Sequence, residues 1–201
     1  MRKSVIIVFE GISGCGKSNC IENFITELRA CSKSYYLYKW NSNSFFRRLT
    51  DWFEKHGHLS ATGFTIIQYI SFLYDMMFKI IPAVQKYDYV LCDRYIYTGI
   101  VRDRCNHSKL QLFKKTYRMY HVPNIIFYIK ADPKVCFERI KTRNKRFRFF
   151  TMGEELSSSI VSYLQECEKE YDNVLHGVAS KVVKIDNTYS RYQSVAINML
   201  R

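Results

Sequence analysis

Residues 9–20 read FEGISGCGKSNC, and this short run constrains the fold more than any other part of the chain. An apolar stretch, Ser4–Phe9, runs into a glycine-rich turn, and a helix-forming stretch begins at Lys17. Gly11, Gly16, Lys17 and Ser18 fit the spacing G-x-x-x-x-G-K-[ST]. Glycines let the backbone wrap a phosphate with its N–H groups, and the start of the following helix adds positive potential. Lys17 is then expected to hold the β and γ phosphates, and the Ser18 hydroxyl to ligate Mg²⁺. Ser13, Gly14, Cys15 and Asn19 complete the loop and the helix start. A dinucleotide fold would need G-x-G-x-x-G, which Gly11, Gly14 and Gly16 do not supply. The expected cofactors are ATP and Mg²⁺.

The rest of the chain alternates strand-like and helix-like runs. Ser4–Phe9, Tyr35–Trp40, Tyr89–Asp93, Asn124–Ile129 and Lys181–Ile185 read as strands, three of them nearly all apolar. Lys17–Ala30, Phe45–Lys55, Gly63–Lys86, Lys109–Tyr120, Pro133–Arg143, Leu156–Leu175 and Tyr189–Leu200 read as helices. Such alternation predicts an α/β fold with a parallel sheet between helix layers, and ligands at the carboxyl ends of the strands. At 201 residues a single domain over 1–201 is expected. The apolar start is short and is followed by no small-residue cleavage site, so neither a secretory signal nor a membrane span is expected. The seven cysteines lack C-x-x-C or Cys/His spacing and read as reduced thiols of a cytoplasmic protein. A net charge of +13 invites a nucleic-acid reading, but the cations are dispersed and no nucleic-acid motif accompanies them.

Two further stretches belong with the loop. YVLCDRYIYTG sets Asp93 and Arg94 at the end of a buried strand, where Asp93 can hold Mg²⁺ and Arg94 can clamp a phosphate. Arg139–Arg148 reads RIKTRNKRFR, six cations with no acid. Such a run needs an anion to order it, so it is expected to close over ATP as a small lid, about 143–153. Lys17, Asp93, Arg94, Arg143 and Arg146 are the expected catalytic residues, with Arg139 on the cofactor side.

The three elements in this order resemble the thymidylate kinase family of P-loop nucleoside monophosphate kinases. FEGxxGxGKS, the triplet Asp93-Arg94-Tyr95, an RxKxR segment after a strand–Asp-Pro–helix stretch, and VVKIDNT near the end carry the resemblance, which covers nearly the whole chain. It implies a three-layer P-loop fold with a five-stranded parallel sheet, adenine held near Asp186, and a monophosphate acceptor beneath the Gly63–Lys86 helix. A homodimer is also in keeping with the family. Glycine at 14, in place of a loop arginine, resembles the subtype whose catalytic arginines come from the lid.

On the acceptor side the resemblance assigns Trp40, Gln68, Phe72, Arg94, Tyr95, Arg102 and Asp103, and several of these depart from the pattern. Ser13 stands where the family carries a loop carboxylate, and Lys39–Asn43 (KWNSN) replaces an Arg-Glu-Pro-like turn. Gln68 and Phe72 fall on the Phe and Arg that grip thymine, and Arg102 falls on a base-stacking aromatic. Four changes around one subsite predict a redirected acceptor. The first reading is a kinase of a nucleoside monophosphate that is not bound as dTMP is. The alternatives are a kinase of a non-nucleotide metabolite or nucleoside, for which Asp93, with Asp75 and Asp103 behind it, would be the base, and a non-catalytic nucleotide-binding module. Phe45, Phe46, Leu49, Trp52 and Phe53 read as a helix core stripe, and His56 and His58 as surface histidines.

Overall fold

Five parallel strands in the spatial order β2-β3-β1-β4-β5 carry the fold: β1 (Val5–Glu10), β2 (Tyr35–Lys39), β3 (Tyr89–Asp93), β4 (Ile125–Lys130) and β5 (Lys181–Asp186). The computed structural model describes residues 4–142 and 156–188. The expected lid, with Arg143 and Arg146, and the expected helix Tyr189–Leu200 lie outside the described residues. Around the sheet pack α1 (Lys17–Ala30), α2 (Ser44–Lys55), α3 (Ala61–Asp75), α4 (Ile81–Lys86), α5 (Ile96–Cys105), α6 (Leu112–Thr116), α7 (Pro133–Thr142) and α8 (Leu156–His176). The sheet flanked by helices is the α/β architecture that the alternation predicts.

The central strands are apolar because helices cover both of their faces. Ile7, Val8, Phe9, Val90, Leu91, Cys92, Ile126 and Phe127 are fully buried. Phe9 stacks on Phe127 at 5.3 Å, and Phe24 of α1 closes over both rings at 6.0 Å. The strand order changes direction beside β1, and Phe9 pairs with Asp93 across the β1–β3 ladder. The phosphate loop and the turn after β3 therefore leave the sheet side by side, at the switch point where such sheets bind ligands.

Several local expectations are corrected. α5 was not foreseen: its aromatic and β-branched residues, with Gly99 in the middle, have a weak helical signal, and tertiary packing decides. The expected Lys109–Tyr120 helix shrinks to α6 and a single 3₁₀ turn, Tyr117–Met119. The long helix starts earlier, at Ala61, where the Ser60 hydroxyl accepts from the Gly63 N–H at 3.0 Å. It widens into a π turn over Met76–Ile80 just before Pro82, which has no N–H to continue a regular ladder.

The aromatics of α2 do not form a core stripe. Thr50 is the one buried residue of α2, while Phe45 is 65% and Trp52 53% exposed. α2 lies on the outer flank of α3, with Phe46 6.2 Å from Tyr74, so its apolar face adds to an exposed stripe on α3. That stripe is Ile66, Ile70, Tyr74 and Phe78, one residue per turn. The run Ala61–Lys86 is long and apolar enough to cross a membrane by length and composition, but half of its most apolar stretch is buried within the fold.

Gly99 marks the tightest contact between α5 and α6. A Cβ built there would lie 2.5 Å from the Phe113 ring. Gly99→Ala should therefore lower unfolding stability by about 1–3 kcal/mol through overpacking, despite the better helix propensity of alanine; urea denaturation would measure this.

Candidate active site

The phosphate loop occupies the turn from β1 into α1. Gly11, Gly14 and Gly16 all have positive φ (141°, 84° and 96°). At two of them a side chain has no room: a Cβ at Gly11 would lie 2.2 Å from the Ile129 carbonyl, and one at Gly14 2.4 Å from that of Cys136. Lys17 folds back under the loop, and its Nζ donates to the carbonyls of Gly11 (3.0 Å) and Ile12 (2.8 Å). Burial, and then the charge of Arg94, lower its pKa. Ser18 and Asn19 are exposed at the start of α1. The Ser18 hydroxyl and the Asp93 carboxylate are both oxygen donors at the same sheet edge, the donor type that Mg²⁺ takes.

Arg94 is held in the left-handed region, φ 73°, which is strained for a side-chain-bearing residue. Its N–H donates to the Phe9 carbonyl (3.0 Å), and the next N–H, of Tyr95, to Glu10 Oε1 (2.8 Å). Glu10 is fully buried and also accepts from Thr98 Oγ1 (2.6 Å) and the Tyr171 hydroxyl (3.1 Å). Burial raises its pKa, although Thr98 and Arg94 act the other way. The guanidinium donates to Tyr171 (3.0 Å), Thr98 (3.2 Å) and Ser13 Oγ (3.4 Å). Burial opposes its charge, but Tyr171, Glu10 and Asp93 outweigh that and raise its pKa.

A cavity of about 270 Å³ opens beside Arg94, walled by the loop, the start of α3, α5 and α8. Arg94, Arg102, Ser13 and Asn41 are on its wall, as are Asn106 and, from α8, Tyr163, Cys167 and Tyr171. The α8 residues were missed in the sequence because their spacing of four reads as an ordinary core face. Of the expected acceptor residues, Arg94 and Arg102 line this cavity. Trp40, Gln68 and Asp103 surround a second void of about 10 Å³, room for a single water, which Arg102 also lines. Phe72 and Tyr95 are buried, with Phe72 stacked on Trp40 at 5.0 Å. Trp40 Nε1 donates to Gln68 Oε1 at 3.1 Å. Asp75 is buried in an ion pair with Lys79, away from both spaces.

On the other rim, α7 and the end of β5 close against the loop. Arg139 donates to the carbonyls of Gly14 (3.4 Å), Asn187 (3.1 Å) and Thr188 (3.2 Å), and Asn187 Nδ2 donates to the Cys15 carbonyl (2.8 Å). Asp186 is exposed and accepts from the Thr188 N–H at 2.9 Å. Arg139 is thus a brace between loop and tail in this arrangement.

A glycine loop on a parallel sheet, its buried lysine, and an Asp-Arg pair on the neighbouring strand define a P-loop phosphotransferase. The family model that matches is that of thymidylate kinase, over residues 9–188. A protein of Saccharolobus solfataricus named "Probable thymidylate kinase 2" is 27% identical over 190 residues, covering 93% of this chain and 86% of that one. The thymidylate kinase of Leptospira interrogans serovar copenhageni is 24% identical, over 96% and 91% of the two chains. That of Rickettsia africae is 26% identical, over 86% and 85%. The chain belongs to the thymidylate kinase family.

Asp103 offers a test of how sealed the inner void is. Its Oδ1 accepts from Thr65 Oγ1 at 2.7 Å, while Oδ2 is buried without a partner. Burial lifts its carboxyl from 3.8 to about 6, against the pull of Thr65 and the Phe113 backbone. A carboxyl raised in the folded state stabilises below its unfolded pKa, and that contribution is lost as pH rises through about 6. Asp103→Asn should therefore gain stability relative to wild type between pH 4 and 7, by an amount on the order of 1–3 kcal/mol. Denaturant titrations at the two pH values would measure it.

Proposed function

We propose that the chain is a MgATP-dependent kinase that phosphorylates a nucleoside monophosphate whose base is not gripped as thymine is gripped in the family. The observation that carries this reading is Arg94, which reaches Ser13 of the phosphate loop and also forms part of the cavity wall. A cation at that point touches both the donor's terminal phosphate and the acceptor's phosphate. Transfer between phosphates needs no strong base, because the attacking oxygen is already ionised; positioning and charge neutralisation suffice.

In this reading Lys17 leaves the Gly11 and Ile12 carbonyls to take the β and γ phosphates, and Gly11, Gly14 and Gly16 supply backbone N–H groups. Ser18 and Asp93 would hold Mg²⁺, which would supply charge neutralisation at the phosphates. Arg143 and Arg146 come from the lid to the transferred group, and Arg139 and Asp186 bound the nucleotide side. Seven cysteines without a disulfide suit a reducing cytoplasm. Lys17→Ala should abolish acceptor-dependent ATP turnover while circular dichroism stays that of the wild type. Undiminished turnover would overturn the assignment of the loop.

A homodimer is the occupant that fits the exposed stripe on α2 and α3. Ile66, Ile70, Tyr74, Phe78, Phe45 and Trp52 form a face too apolar for a lone surface helix, and two copies packed antiparallel would each cover the other. Ile70→Glu together with Phe78→Glu should convert a dimer to a monomer in light scattering. A wild-type monomer would refute the pairing.

A further inference from the structure

The family resemblance places the acceptor's far end beneath the long helix, against Gln68 and Phe72, but here that space is filled from within. Trp40 stacks on Phe72, and the Phe113 ring lies 5.6 Å from Trp40. Gly99 leaves Phe113 the room to do so. About 10 Å³ remains between them, too little for any part of an acceptor. The open space lies on the other side, toward α8, and Arg102 lines both it and the small void. Arg94 is on the wall of the same cavity, near enough for its charge to act on Arg102.

Arg94 has Glu10 close behind it, joined through Thr98 and Tyr171. Arg102 has no such acid: among the described residues no carboxylate lines the cavity, and no hydrogen bond from its guanidinium is made. The polar groups around it are Asn41, whose Oδ1 is buried without a partner, Asn106, whose Oδ1 accepts from Tyr163 at 3.0 Å, and Tyr163 itself. Burial, and then Arg94, press against the protonated form of Arg102. An unbalanced cation facing a ligand space is satisfied by an anion from the ligand.

We propose that the acceptor is a phosphomonoester with a second anionic group, a carboxylate, and that Arg102 selects it. The proposal deepens the kinase reading, sharing with it the phosphate end of the cavity. Arg102 is a specificity-determining residue here, and the selectivity comes from leaving its half-buried charge without an anion in the occupied cavity when the acceptor's tail is neutral.

Calorimetry on two matched pairs tests it: uridine monophosphate against its 5-carboxy derivative, and ribose phosphate against phosphogluconate. In the wild type the carboxylated member of at least one pair should bind at least tenfold more tightly. In Arg102→Met that preference should fall to less than twofold, the carboxylated member losing affinity and the neutral member gaining it, and Arg102→Lys should keep part of the preference. Equal binding within both pairs, no binding of any of the four, or a preference that survives in Arg102→Met would each overturn the proposal. If the preference holds but MgATP transfers nothing to the phosphate of the bound carboxylated ligand, the kinase reading falls and the role of Arg102 stands.

Discussion

A buried carboxylate holds the site together. Glu10 sits at the end of β1 with no exposure, and four donors converge on it: the N–H groups of Tyr95 and Thr98, the Thr98 hydroxyl and the Tyr171 hydroxyl. Those donors come from the turn after β3, the start of α5 and the middle of α8. One residue thereby fixes three elements that are remote in sequence. A buried charge is tolerable only when its hydrogen bonds are complete, which makes the arrangement demanding of geometry. The strained backbone at Arg94 is the local consequence, since the turn must aim the Tyr95 and Thr98 amides at Glu10 and still send the guanidinium toward Ser13.

The same centre explains why two cations can be buried next to each other. The charge of Arg94 presses against that of Lys17, and each cation has a compensating contact on the protein side. Lys17 rests on two carbonyls of its own loop, and Arg94 on the hydroxyls that ring Glu10. Arg94 is thereby fixed in place, whereas Lys17 is tied to its own loop.

How much of this was legible in the sequence follows from how local each signal is. The phosphate loop and the Asp93-Arg94 pair were readable because every residue that defines them lies within one turn of a strand end, where spacing alone specifies geometry. The three central strands were readable for a similar reason, since burial on both faces demands apolar runs, while the edge strands β2 and β5 showed through their aromatic and β-branched residues. α5 was not, because its helicity depends on Phe113 packing over Gly99, a contact that no local pattern announces. The aromatics of α2 misled for the opposite reason. Their periodicity is that of a core face, but periodicity does not say whether the face meets this chain or another.

The acceptor side shows the same limit more sharply. Gln68, Phe72, Arg102 and Asp103 were singled out together because a shared subsite was expected, but the fold separates them. Phe72 joins Trp40 and Phe113 in an aromatic plug, Gln68 and Asp103 face a void the size of a water molecule, and Arg102 borders both that void and the open cavity. One substitution makes the others intelligible. Once aromatic rings occupy the cleft, a base-gripping arginine on α3 has nothing to grip, and the cation that reads the acceptor must stand on the wall that remains open. That wall is built from α5 and α8, with Arg102, Asn106 and Tyr163 on it, while the opposite end of the cavity is tied through Arg94, Thr98 and Tyr171 to Glu10.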